Sequence, residues 1–245
     1  LAAYAGRRFW VLLDAVAQAE WDRLEDGAEF DMIEKKPLPR RITDRESRYR
    51  SILEAYPDAF SSTVVDLGCD VRHLEKLARP PRFVGVSRES SADIVHDLEN
   101  LPYPFEDREF DTVVCLDVLE HLENIHGAAA ELFRIANKRV IITLPNPIDH
   151  ILAVYLFRKR YSPDQWTKFY SLTEQPLKDR HRWFFSETEA DRFLLFMAGR
   201  ANFIPGRCFH HRLNWKSRIM GRMLKIAAGH DVFGKWTLAY EFIRA

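Results

Sequence analysis

Between Thr63 and Leu144 short apolar runs alternate with helical segments, and this rhythm constrains the fold of the chain more than any other feature. The runs cover residues 63–67, 82–86, 94–96, 110–116 and 139–144. They are β-branched, continuous and short, as expected of strands covered on both faces. Helical stretches at 74–77, 118–120 and 127–135 lie between them. The alternation predicts an α/β fold with a doubly wound, mostly parallel sheet. Two later runs, 202–209 and 235–243, bring the expected strands to seven. In the last, Leu238, Tyr240 and Phe242 alternate with Ala239, Glu241 and Ile243.

The flanks read differently. Phe9, Leu12, Leu13, Val16, Ala17 and Leu24 recur at helical spacing, which predicts an amphipathic helix over 1–30 with Gly27 as a stop. Pro37-Leu38-Pro39-Arg40-Arg41 reads as a linker. A second helix follows over 44–55, capped by Asp44 or Thr43, with Tyr49, Ile52 and Leu53 on one face. Residues 1–60 thus read as an N-terminal helical extension and 61–245 as the main domain. Pro145-Asn146-Pro147 ends the fifth strand, and 148–182 break the rhythm as an insertion. That insertion contains Arg158-Lys159-Arg160 and then Trp166, Phe169 and Tyr170. Ser186 and Glu189 form a capping box for a helix running to about Ala198.

A chain of 245 residues holds one large α/β domain with additions. Its 36 basic and 36 acidic residues cancel, so net charge gives no argument for nucleic-acid binding. Between Asp191 and Asp231, however, no acid occurs, while eight basic residues run from Arg192 to Lys225. This stretch reads either as a solvated basic face or as a surface for anionic lipid, a nucleotide-linked substrate or RNA. Cys69, Cys115 and Cys208 are scattered, at no metal-ligand spacing. They suggest a reducing compartment and no disulfide framework. No metal site is expected. No apolar run reaches the ~18–20 residues of a membrane span. No secretory signal is visible, since Asp14 and Glu20 interrupt the first apolar stretch. A cytoplasmic protein is expected, touching membranes at most through its basic segments. The first residue is not Met, which points to a longer native chain or to processing.

Three segments carry chemistry. Val64-Val65-Asp66-Leu67-Gly68-Cys69-Asp70 is a strand ending in an acid, a glycine and a tight turn. His96-Asp97-Leu98-Glu99-Asn100-Leu101-Pro102 follows, and then Phe110-Asp111-Thr112-Val113-Val114-Cys115-Leu116-Asp117-Val118-Leu119-Glu120-His121-Leu122. Asp66, Gly68, Ser87, Asp97 and Asp117 fall at the carboxyl ends of expected strands, where open α/β sheets bind ligands. In order and spacing the segments resemble class I S-adenosylmethionine-dependent methyltransferases, in particular the type 11 branch. The resemblance covers Tyr49 to Pro147, with a looser match from His181 onward.

The resemblance implies S-adenosylmethionine as cofactor and S-adenosylhomocysteine as product. It implies that Asp66 organises the loop near the methionine end and that Gly68, followed by Cys69, allows close backbone approach. Asp97 and the Leu98 backbone would hold the adenine amino group, with Leu116 and Asp117 under the cofactor. The pattern is broken at three positions. Asp70 and Arg72 stand where glycines are expected, and Ser87 stands where an acid holds the ribose hydroxyls. Ser87 can make a neutral hydrogen bond, roughly half the strength of a charge-assisted one, and Glu89 lies two residues on. Asp70 and Arg72 are expected to act as a charged substitute for the glycine loop, with Arg72 answering the cofactor's carboxylate.

Methyl transfer asks mainly for alignment and exclusion of water. A general base is needed for a hydroxyl or protonated amine acceptor. His121, His150 and His181 are the candidates, with His121 and His181 the expected catalytic pair. His181-Arg182-Trp183-Phe184-Phe185-Ser186 reads either as acceptor-pocket lining or as a core aromatic cluster. The acceptor is expected to be a small or lipid-linked molecule, such as a nucleotide- or polyprenyl-linked sugar. Asp70, Arg72 and Ser87 equally fit a silent methyltransferase-like scaffold. Asp117-Val118-Leu119-Glu120 lacks the Asn/Asp-Pro-Pro-aromatic pattern of amino-group methylation, which argues against RNA or protein acceptors. No G-x-G-x-x-G follows the first strand, which argues against nicotinamide chemistry.

Overall fold

A computed structural model describes residues 33–69, 72–146, 180–211 and 237–245, all within one unit, Ile33–Ala245. The expected first helix, Asp70, most of the insertion and most of the basic C-terminal stretch lie outside the described residues.

The strands are β1 (Lys36–Pro37), β2 (Thr63–Leu67), β3 (Arg82–Ser87), β4 (Ile94–Val95), β5 (Phe110–Leu116), β6 (Ala136–Pro145), β7 (Phe203–His210) and β8 (Thr237–Arg244). The helices are α1 (Arg45–Ala55), α2 (His73–Ala78), α3 (Ile125–Ile135) and α4 (Glu187–Arg200), with a 3₁₀ turn at Leu119–His121. One sheet holds all eight strands in the order β1-β7-β8-β6-β5-β2-β3-β4. The pairings β2–β3, β3–β4, β2–β5 and β5–β6 are parallel, and β8 runs antiparallel between β6 and β7. The eighth strand comes from the expected linker. Lys36–Pro37 pairs with Phe209 and His210, and Leu38 is buried. Proline is tolerated there because β1 is an edge.

Consecutive residues of one strand serve two cores, which is why the runs are continuous. Val65, Val113, Val140 and Ile142 pack under α3 and α4. Val64, Val114 and Ile141 pack with Tyr49, Ile52 and Tyr56 of the α1 region. The alternation in β8 does not divide core from solvent. Glu241 is fully buried between β6 and β7, bound by Arg207 at 2.9 Å and Arg139 at 3.0 Å. Among the other expected basic residues, Arg192 and Arg200 lie on α4, and Arg207 is tied into this cluster.

The caps follow local chemistry. Asp44 accepts from the Ser47 N–H and closes a capping box on α1. Ser186 does the same with Glu189 on α4.

Candidate active site

The sheet's order reverses at β2, which has β3 on one side and β5 on the other. The chain leaves these strands in opposite directions and opens a crevice at their carboxyl ends. A cavity of about 560 Å³ lies there, a size suited to a small-molecule site. Of the residues expected to bind cofactor, Gly68, Cys69, Ser87, Asp97, Leu98, Leu116 and Asp117 line it, and so do His121 and His181. Asp66 and Arg72 do not.

Gly68 turns the chain at φ +86°, and an added Cβ there would lie 2.3 Å from Val118 Cγ2. Glycine is therefore required both by conformation and by space. Its N–H and that of Cys69 donate to the Val86 carbonyl at 2.8 and 3.1 Å. The Cys69 thiol packs on Gly85, and burial pushes it up to about 12. Burial likewise raises Cys115 well above its usual value. Neither is a nucleophile at neutral pH.

Ser87 Oγ accepts the Glu89 N–H at 2.9 Å, leaving its own proton to donate. Glu89 lines the cavity as anticipated. Asp97 Oδ1 accepts the Glu99 N–H at 3.1 Å. Asp117 takes a positive φ of 53° and receives the Thr143 hydroxyl at 2.6 Å. Its other oxygen lies 2.8 Å from Arg48 Nη1.

Asp66 lies beneath the cleft. Tyr49 donates to its Oδ2 at 3.2 Å, while Oδ1 accepts no hydrogen bond from the described residues. Complete burial pushes its carboxyl up to about 7, against the opposing pull of the Tyr49 bond. Arg72 takes φ +56°, so the backbone keeps the left-handed turn for which the pattern uses glycine. Its guanidinium is held by two carboxylates. Glu75 holds Nε at 2.7 Å and Asp93 holds Nη1 at 2.6 Å.

His121 and His181 are brought together, with rings 4.4 Å apart and nearly perpendicular. Glu120, fully buried, stands beside both: its Oε1 lies 3.7 Å from His121 Nε2 and 4.0 Å from His181 Nε2. The Glu120 carbonyl accepts the Arg182 N–H at 2.8 Å, pinning the His181 strap to the 3₁₀ turn. The neighbouring aromatics do not line the cavity. Trp183 donates to the Leu122 carbonyl at 2.6 Å, and Phe185 packs on the core. His150 lies outside the described residues.

The sequence reading missed Arg45 and Arg48 of α1, Arg88, Glu120 and Arg180, all of which line the cavity, and Arg182, within the expected pocket segment, lines it too. Arg45 and Arg48 carried a faint signal, since residues three apart share a helix face.

The donor and acceptor set suits an adenosyl ligand. Ser87, Glu89 and Asp97 offer acceptors for ribose and amino donors, and Gly68 clears the backbone. The family model described as a methyltransferase domain matches residues 40–194. The chain belongs to this family. It is a methyltransferase of the class I fold that uses S-adenosylmethionine. No curated protein sequence matches it. Among solved structures, magnesium protoporphyrin IX methyltransferase from Synechocystis PCC 6803 with bound S-adenosylhomocysteine is 17% identical. That match covers 82% of this chain and 83% of the other, with a TM-score of 0.50. The small RNA methyltransferase HEN1 is 15% identical with a TM-score of 0.54, covering 87% of this methyltransferase and 27% of that chain. At these identities the likeness is one of fold. No described helix is long and apolar enough to cross a membrane.

Proposed function

We propose that this methyltransferase delivers the methyl group to an anionic small molecule, or to a lipid- or nucleotide-linked one such as a glycan conjugate. The carrying observation is that Arg45 and Arg48 of α1 and Arg180 of the strap line the same cavity as His121 and His181. The carboxylates Glu89 and Asp97 come instead from the β3–β4 side, next to Arg88, while Glu99 lies 3.9 Å from Arg182 of the strap. The reading therefore gives the acid side to adenosine and the arginine side to the acceptor, since guanidinium groups bind phosphate and carboxylate bidentately.

In this reading the cofactor supplies an activated methyl group, and the chain's residues align and desolvate it. Ser87 and Glu89 hold the ribose, and Asp97 with the Leu98 backbone holds adenine. Asp117, fixed by Thr143 and Arg48, floors the cleft. His121 and His181 border the acceptor end, where a hydroxyl proton has to leave.

Calorimetry with S-adenosylmethionine and S-adenosylhomocysteine tests the cofactor half. Micromolar binding of both is expected, weakened at least fivefold in Asp97→Ala. A chain that binds neither is a silent scaffold.

A further inference from the structure

We infer that Glu120, His121 and His181 form a binding site for a divalent first-row transition-metal ion at the acceptor end of the cleft. One donor atom from each of the three residues lies within 4.8 Å of the others. The ligand set is two imidazoles and one carboxylate, the composition that suits zinc, iron or cobalt and not the all-oxygen preference of magnesium or calcium. All three residues line the cavity, so positions left open by the protein face the acceptor.

The spacing of the donors leaves room for an ion between them. Glu120 Oε1 stands 3.7 Å from His121 Nε2 and 4.0 Å from His181 Nε2. Both are too long for a direct hydrogen bond. An ion with bonds of about 2.1 Å sets tetrahedral donors about 3.4 Å apart. The three donors, all within 4.8 Å of one another, have to close to that spacing, and the fourth position stays open.

Tautomer and support fit as well. His121 Nδ1 lies 3.3 Å from the Arg180 carbonyl, which can only accept. The proton therefore sits on Nδ1, and in the neutral ring Nε2 turns its lone pair toward Glu120. A ligating imidazole held through its other nitrogen by a backbone carbonyl is the usual outer support of a metal site. The strap is held too, through the Arg182 and Trp183 N–H groups on the Glu120 carbonyl. Glu120 and His181 are buried, so the ion would be sheltered from water on the protein side.

The site itself does not depend on the cofactor reading, but the role of the ion rests on it. A hydroxyl acceptor bound to the ion is acidified and loses its proton to water. The alkoxide oxygen then forms the bond to the methyl carbon. The carbon–sulfur bond breaks with its electron pair going to sulfur, which leaves as a neutral thioether.

The test titrates Co²⁺ alone into tag-free, chelator-treated full chain and follows visible absorption. S-adenosylhomocysteine affinity is measured separately by calorimetry on the metal-free protein. Saturable binding of one Co²⁺ per chain is expected, weakened at least tenfold in His181→Ala and in the isosteric Glu120→Gln, with folding checked by circular dichroism. Absence of a saturable band in the wild-type chain overturns the site even if neither variant folds. So does equal binding by both folded variants. Co²⁺ binding without S-adenosylhomocysteine binding keeps the ion site and removes the cofactor reading. S-adenosylhomocysteine binding without Co²⁺ does the reverse.

Discussion

Asp66 shows how a residue's place in a strand can be legible while its burial is not. Its position at the end of β2 was plain, because an acid closes an apolar run there. The burial was not, because it depends on α1 lying across the strand and covering the carboxyl with Tyr49. The result is a carboxyl whose folded value, about 7, exceeds its ordinary 3.8. The unfolded chain releases this proton first. The stability Asp66 contributes is therefore complete below pH ~3.8 and is lost as pH rises through about 7. Asp66→Asn keeps an acceptor for Tyr49 and removes the titration. Thermal melts should then show the variant gaining on the wild type from pH 5 to pH 8, by about 3 kcal/mol at most. A difference that does not vary with pH would mean that Asp66 stays ionised in the folded chain.

Among the elements, α2 is the instructive one. Its short apolar pattern was readable at 74–77, and the helix occupies His73–Ala78. What precedes it was expected to be a charged cofactor loop. Arg72 starts the helix from the left-handed region with no side-chain cap, a strain of about 1 kcal/mol for an L-residue. Its charge is absorbed by Glu75 and Asp93, and Asp93 also receives the Gly85 N–H at 2.8 Å. Arg72 therefore braces α2 against β3. Arg72→Ala should lower stability by about 1 kcal/mol, as loss of partly exposed ion pairs does. It should leave S-adenosylhomocysteine affinity within twofold of wild type by calorimetry. A tenfold loss would return Arg72 to the cofactor's carboxylate.

At the scale of the whole molecule, long-range charge clusters tie the sheet's second half to the rest. Lys35, its side chain fully buried, lies 2.6 Å from Asp191 and 3.1 Å from Glu187 on α4. Tyr240 of β8 donates to the same Asp191 at 2.7 Å. Removing the cation leaves two carboxylates facing each other out of water. Lys35→Met should therefore cost about 3–5 kcal/mol in denaturant unfolding, and Lys35→Arg should recover part of it. A cost below 1 kcal/mol would show that the carboxylates reach solvent once the lysine is gone.

Strand positions, the capping box of α4, the cap of α1 and the turn at Gly68 were legible because their causes are local. β-branched runs, a Ser or Asp ahead of a helix, and a glycine forced to positive φ each report on their own few residues. The doubly wound, mostly parallel sheet followed from the alternation, because crossover helices cover both of its faces. Tertiary structure alone decided that Arg48 would neutralise Asp117, that Lys35 would meet Asp191, and that Glu120 would face His181. Such pairs join residues far apart in sequence, and their energy depends on burial, which no local pattern encodes.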